Sequence, residues 1–337
     1  MRLIEKVWFH GHRAKYCLVP LLLPLTLVFW LLSALRRLAF QCKLFSSYKV
    51  KAPVIVVGNI GIGGNGKTPV VLWLIELCQS EGLIPGVISR GYGGNAPSYP
   101  YLINENSSVD ETGDEPLMIY QRSGVHVCVG PDRVKCAQQL IEQGCNLIIA
   151  DDGLQHYRLK RDIEFIVIDG KRRFGNGLLL PAGPLREGLW RLNTVDYLIN
   201  NGEKPKLNEL PMSLIARNVE NCQTGDIVNT NELLAKAPKI NAIAGIGSPE
   251  RFFTTLRHIG FRLNQTQGFI DHQAYKAEDF LSYDENVPLL MTEKDAIKCK
   301  TFAKPNWWYL KVDAHLPKVE ENLLRKKIAA LALKAQG

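Results

Sequence analysis

The stretch PVIVVGNIGIGGNGKTPVVLWLIELC, residues 53–78, decides the fold. It reads in three parts. Val54–Val57 is a β-branched apolar run, continuous rather than alternating, as a strand covered on both faces requires. Gly58–Gly66 holds five glycines in nine residues, a loop freed of side chains. Pro69–Ser80 is an apolar helical segment, started by a Pro that tolerates the first turn and stopped at Gly82. Within this strand–loop–helix, Gly61-x-x-x-x-Gly66-Lys67-Thr68 fits the phosphate-loop pattern GxxxxGK[ST]. Gly61, Ile62, Gly63, Gly64, Asn65 and Gly66 would turn backbone N–H groups toward phosphate oxygens, helped by the positive end of the helix. Lys67 would reach the β- and γ-phosphates of ATP, and the Thr68 hydroxyl would bind Mg²⁺. Gly61–Gly66 also fits the dinucleotide fingerprint GxGxxG. That reading wants an acid near the end of the second strand, which here ends at Ser89-Arg90. An Arg can suit a 2′-phosphate, so the rival stands, but it leaves Lys67-Thr68 unexplained. A guanine-reading NKxD motif does not occur, which disfavours a GTPase.

Outward from this loop the same rhythm continues. Gly86–Ser89, Val125–Val129, Leu147–Ala150, Phe165–Ile168 and Tyr197–Asn200 read as strands, with a helix at Asp132–Gln143 ended by Gly144. The alternation breaks at 203–237, where Ser213–Val219 and Asp226–Val228 read as a small two-stranded connection. It resumes with strand Ile240–Ala244, helix Glu250–His258, strand Pro288–Met291, helix Glu293–Lys298 and strand Trp307–Val312. The expected fold is α/β: two α/β/α domains joined by a short β linker, behind an N-terminal membrane helix. The expected boundaries are 1–40 for the membrane segment, 41–212 for the nucleotide-binding domain, 213–236 for the linker and 237–337 for a second domain. The Lys/Ala-rich end from Val319 reads as a solvated helix.

Charge is distributed unevenly. The net charge is +8, and residues 1–51 alone hold nine basic residues and one acid, so the head carries the whole excess. The remaining body is neutral, which gives no basic surface for nucleic acid. Between Lys15 and Arg36 lie 20 uncharged residues. As a helix they would be about 30 Å long, the thickness of a hydrocarbon core. A basic head beside such a run favours anionic lipid. Pro20 and Pro24 interrupt its first half, and basic residues flank both ends, so the run either spans the bilayer or dips into one leaflet. Arg36-Arg37 stands where a signal peptide would have its small-residue cleavage site. The eight cysteines are scattered, with no CxxC pair and so no zinc or disulfide pattern.

The acidic positions follow from the loop. A phosphate-loop site needs a carboxylate at the end of a buried strand for Mg²⁺. Leu147–Ala150 runs into Asp151-Asp152-Gly153, with the alternative of an Asp turn before Gly153. His156 shares that loop and reads equally as site or structure. In Thr112-Gly113-Asp114-Glu115-Pro116, Asp114 is either the base that accepts a hydroxyl proton or part of an acidic first turn. Asp271-His272 is a pair in which the Asp could orient the His, although a surface pair is the commoner explanation. Gly175–Glu187 is a Gly/Pro-rich loop with three leucines that ends in Arg186-Glu187, either a connection or a lipid-contacting element with a charged site residue.

The segments VGNIGIGGNGKTP, SRGYGG, GDEP, ADDGLQH, FGNGLLLPAGPLRE, Asp271-His272 and MTEKDAIK together resemble the tetraacyldisaccharide 4′-kinases of lipid A biosynthesis. The resemblance implies transfer of the ATP γ-phosphoryl group to the 4′-hydroxyl of a tetraacyl glucosamine disaccharide 1-phosphate, with Mg²⁺, at the cytoplasmic face of the bacterial inner membrane. It implies two α/β domains, the first of them phosphate-loop kinase-like, with the active site between them. By motif, Asp114 and His272 would be the proton-accepting pair. Asp151, Asp152 and Glu187 would serve metal and phosphate geometry, and Arg90 the phosphates or substrate. Its dependable part of the loop is Gly63–Thr68. A phosphate-loop enzyme with another membrane-proximal substrate is the nearest alternative, a dinucleotide-dependent oxidoreductase the more distant one.

Overall fold

The computed structural model describes residues 3–336. Two helices come first, α1 (Leu3–His10) and α2 (Lys15–Gln41). A first α/β series follows: β1 (Val54–Gly58), α3 (Lys67–Ser80), β2 (Pro85–Ser89), β3 (Tyr101–Leu102), α4 (Val109–Thr112), α5 (Asp114–Ser123), β4 (Val127–Val129), α6 (Arg133–Glu142), β5 (Leu147–Asp151), β6 (Ile163–Asp169), β7 (Tyr197–Asn201) and β8 (Glu209–Ile215). The second series is β9 (Asn218–Asn221), β10 (Ile227–Asn229), α7 (Thr230–Lys236), β11 (Lys239–Ala244), α8 (Pro249–Ile259), β12 (Arg262–Gly268), β13 (Leu289–Thr292), α9 (Glu293–Cys299) and β14 (Trp307–Leu310). Last come β15 (Asp313–His315) and α10 (Lys318–Gln336).

Among the described residues the strands form two sheets. The first has the order β15-β8-β7-β6-β1-β5-β2-β4-β3, the second β10-β9-β14-β13-β11-β12. In the first, all neighbours are parallel except the two edges, where β3 and β15 run antiparallel. The central strands β1, β2, β5 and β6 are buried throughout, which is why their sequences are continuous apolar runs. One face packs on α3, α5 and α10, the other on α6 and the 174–192 segment.

Three expectations shift. The two-stranded connection is not a separate linker: β8 extends the first sheet, while β9 and β10 pair with each other and join the second. The second unit ends near residue 312 rather than 337, because β15 pairs with β8 of the first sheet. The terminal helix is not solvated all round. Leu324 and Ile328 of α10 are fully buried with Leu316 in the first core, and Arg325 binds Glu81 at 2.6 Å. The chain therefore crosses between units twice, at 215–218 and 310–313.

Helix α2 is long and apolar enough to cross a membrane, and most of its side chains are exposed. It continues through Pro20 and Pro24. Thr26 is the one buried residue along α2. Its Oγ1 accepts from Ala182 N–H at 3.0 Å and lies 3.5 Å from Leu179 O. The Gly/Pro-rich loop thus docks halfway along the helix.

Candidate active site

The site lies beyond the carboxyl ends of β1, β5 and β2, where an open parallel sheet leaves a crevice. Gly66 closes the glycine loop in the left-handed region, φ 88°, as the residue that caps α3. The loop is braced from outside. Arg172 Nη2 donates to Gly64 O at 2.9 Å, and Asn201 Nδ2 donates to Asn65 O at 2.9 Å. Arg251 of α8 reaches Asp169 at 3.2 Å and Asn201 at 2.9 Å, tying the second unit to this brace. The Ile62 N–H is spent on Pro184 O at 2.9 Å, and Gly61 bridges to Leu185. Gly61 and Ile62 are therefore tied to the Pro184–Leu185 segment. Lys67 and Thr68 sit in the first turn of α3 behind them.

Asp151 and Asp152 part company. Asp151 is the last residue of β5, buried, and its Oδ1 has no hydrogen-bond partner. Burial, with the charges of Glu115 and Asp152 beside it, pushes its carboxyl up to about 7, against the pull of Lys67. A dry carboxylate with an unused oxygen next to a phosphate loop fits a Mg²⁺ ligand. Asp152 turns outward in the left-handed region, φ 48°. Arg186 clamps both its oxygens at 2.9 Å, and Lys67 Nζ lies 3.6 Å from Oδ1. Burial works against its charge, but Lys67 and Arg186 outweigh it and hold the carboxyl well below the usual range. Among the described residues no three His, Cys, Asp or Glu side chains gather to hold a metal alone.

Glu187 is held in a hydrogen-bond network of its own. Its Oε2 accepts from Gln155 Nε2 at 2.7 Å, its Oε1 accepts from Tyr157 O–H, and Arg191 lies at 3.8 Å. Both oxygens are already bonded, so Glu187 braces Gln155, which in turn donates to Asn59 O under the loop. Arg90 is exposed just past β2. His156 is half-buried, and burial with Arg133 and Arg161 nearby lowers it to about 4, so it is neutral at pH 7.

Across the crevice the structure joins Asp114 to His272. The turn of Tyr92–Gly94 packs on the start of α5 so closely that a Cβ on Gly94 would lie 2.6 Å from Gly113 N, and one on Gly113 would lie 2.5 Å from Tyr92 O. This contact leaves Asp114, in the first turn of α5, aimed at the second unit. His272 Nδ1 is 3.0 and 3.2 Å from its two oxygens, with the His272 backbone at φ 64°. Burial opposes the charge of Asp114, but the His272 hydrogen bond and the charges of Lys294 and Lys298 bring it down to about 2. His272 is raised by its bond to Asp114, against burial and Lys294. The two lysines come from α9, at 3.6 and 3.4 Å from Asp114 Oδ2. Sequence reading took MTEKDAIK only as a motif and gave these lysines no role. Their four-residue spacing on one helix face was the available signal. Asp295 of the same helix is fully buried and accepts from Gly245 N–H, Tyr275 O–H and Thr292 O–H, fixing α9 to the second sheet. Gly247 of the turn after β11 lies close over the loop: a Cβ on it would stand 3.0 Å from Gly64 N.

The sequence model of one family, described as Tetraacyldisaccharide-1-P 4'-kinase, matches residues 18–329. Among curated proteins, a tetraacyldisaccharide 4'-kinase of Colwellia psychrerythraea is 55% identical over 330 residues, covering 96% of each chain. One from Vibrio cholerae serotype O1 is 49% identical over 325 residues, again 96% of each. A crystal structure described as the "apo" form of LpxK from Aquifex aeolicus in complex with ATP superposes with a TM-score of 0.76 at 26% identity, over 93% of this chain and 99% of that one.

Proposed function

The chain belongs to the tetraacyldisaccharide-1-phosphate 4′-kinase family, and from that premise we infer that it transfers the γ-phosphoryl group of ATP to the 4′-hydroxyl of a tetraacyl glucosamine disaccharide 1-phosphate. The observation that carries the mechanism is the Asp114–His272 contact, made between units at the mouth of the phosphate loop. Phosphoryl transfer asks a protein for alignment and charge neutralisation more than for covalent chemistry. Amides from Gly63 to Thr68 cradle the phosphates. Lys67, paired with Asp152, neutralises charge on the transferring group. Thr68 and Asp151 are the residues that would hold Mg²⁺, which supplies further charge neutralisation when bound. Asp114 takes the proton of the attacking hydroxyl, steadied by His272. Arg90, at the crevice edge, is assigned to substrate or phosphate. The dinucleotide reading of Gly61–Gly66 falls with the family assignment.

The substrate explains the head. Moving an acyl chain out of a bilayer costs about 0.8 kcal/mol per CH₂, so the enzyme must work at the lipid surface. We assign the body to the cytoplasmic face of the bacterial inner membrane, where ATP is available; the apolar run of α2 and its basic flanks support contact with a lipid surface. The test is transfer of labelled γ-phosphate from Mg-ATP to purified disaccharide 1-phosphate in detergent, lost in Lys67→Ala. No labelled lipid from the wild-type chain would sink the assignment.

A further inference from the structure

A group of charges outside the phosphate loop gathers around the imidazole of His272. Asp114 and Glu115 face it from α5, Asp271 from its own loop, Lys294 and Lys298 from α9, and the Tyr92 ring meets it edge-on at 5.1 Å. Lys294 is the centre of this group. Its Nζ lies 3.0 Å from Asp271 Oδ1, 3.1 Å from Glu115 Oε1 and 3.4 Å from His272 Nε2. Those are three acceptors for the three protons of one ammonium. An ammonium has no acceptor of its own, so its approach to Nε2 is a hydrogen bond only if Nε2 presents a lone pair. The ring proton is then on Nδ1, where it donates to Asp114. The opposite tautomer would set an N–H against the ammonium, donor to donor, and an imidazolium would add like-charge repulsion. Asp271 Oδ1, 3.8 Å from Nε2, is the group that could stabilise either of those forms, and Lys294 occupies it.

We propose that Lys294 is a positioning residue for the transfer reaction: by donating to Nε2 it fixes His272 as the neutral Nδ1–H tautomer, which leaves Asp114 an ionised acceptor for the hydroxyl proton. The proposal rests on the phosphotransferase reading above. It gives α9 a role beyond packing. Asp114 favours the imidazolium, which would neutralise the base it sits against; burial and then Lys294 oppose it. Lys298 touches Asp114 Oδ2 and the Tyr275 ring but not the imidazole, so it holds the carboxylate without choosing the tautomer.

Two measurements test this. The first is ¹⁵N NMR of the histidine rings in the full chain in detergent, with Mg²⁺ and AMP-PNP at pH 7.5, His272 being assigned with His272→Gln. The expected spectrum has the proton on Nδ1 and a lone pair on Nε2. The second is the pH–rate profile of Lys294→Met and Lys294→Arg. In Lys294→Met the acidic limb moves up by about one pH unit, so that activity near pH 6.5 falls about tenfold while activity near pH 9 is largely kept. Lys294→Arg, which keeps a charged donor, retains the wild-type limb. In a His272→Gln background Lys294→Met moves the limb no further. A merely structural role would lower the rate equally at every pH. A wild-type ring protonated on Nε2 or on both nitrogens overturns the proposal, as does an unmoved limb in Lys294→Met. The NMR result on the wild-type chain decides even if Lys294→Met fails to fold. A wild-type chain that transfers no phosphate overturns instead the reading beneath it.

Discussion

Replacing Asp114 by Asn removes one charge and keeps the shape, and the structure sets the size of the effect. Burial alone would raise this carboxyl, yet the His272 bond with Lys294 and Lys298 brings it from 3.8 to about 2. A shift near two pK units corresponds to about 2 kcal/mol in favour of the ionised form. All three groups responsible sit in the second unit, so that energy acts on closure of the crevice. Asp114→Asn should weaken the closed form by about 2 kcal/mol, roughly 30-fold in its population. Turnover should fall further, by about 10²–10⁴, because a positioned proton acceptor is lost. The pH dependence has a definite sign. A depressed carboxyl contributes fully above its unfolded value, near pH 4, and loses its contribution as pH falls toward 2. The difference between wild type and variant in urea unfolding should therefore be flat from about pH 5 to 8 and shrink below about pH 4. The assay pairs urea titration across that range with labelled-phosphate transfer at pH 7.5. Unfolding free energies within about 0.5 kcal/mol of each other at pH 7, together with wild-type turnover, would refute the reasoning.

Three more outcomes are expected. Asp151→Asn should raise the Mg²⁺ concentration needed for half-maximal activity about tenfold or more while stability holds or improves, since it relieves a buried carboxylate; an unchanged Mg²⁺ requirement removes Asp151 from the ligand set. Asp295→Ala strands three donors, at Gly245, Tyr275 and Thr292, at about 1–2 kcal/mol each, and should cost about 4 kcal/mol in urea unfolding followed by Trp fluorescence. A loss below about 1 kcal/mol would show that water replaces the carboxylate. Thr26→Val leaves the Ala182 N–H without its acceptor. It should cost about 1 kcal/mol and speed proteolysis within the 175–187 loop; equal cleavage rates would mean the loop is held by other contacts.

The phosphate loop was legible because its information is local: strand, glycines, Lys67-Thr68 and helix are consecutive, and each residue type has one physical reason to be there. The strands of the first sheet were legible for a similar reason, since burial on both faces writes itself as unbroken apolar runs. What could not be read joins residues far apart. Asp114 and His272 are 158 positions apart; nothing in GDEP itself says that an imidazole will arrive from another sheet, and the pairing was expected only from the family resemblance. Glu187 was expected at the metal only through the family resemblance; its partners Gln155 and Tyr157 are ones the sequence does not reveal. The fate of α10 was readable and missed. Leu324, Ile328 and Leu331 recur at helical spacing, and the surrounding lysines drew attention away from them.

The double crossing at 215–218 and 310–313 bears on how the crevice moves. A body tied by one strand can swivel in any direction. A body tied by two adjacent strands is restrained about all axes but one, like a door on two pins. Helices α2 and α10 both pack on the first body, so the second body is the door. A swing about that axis would bring His272 and Lys294 along one arc to the same carboxylate. The precision of a contact between distant parts of the chain is thereby set at the hinge, by backbone pairing that never meets the substrate.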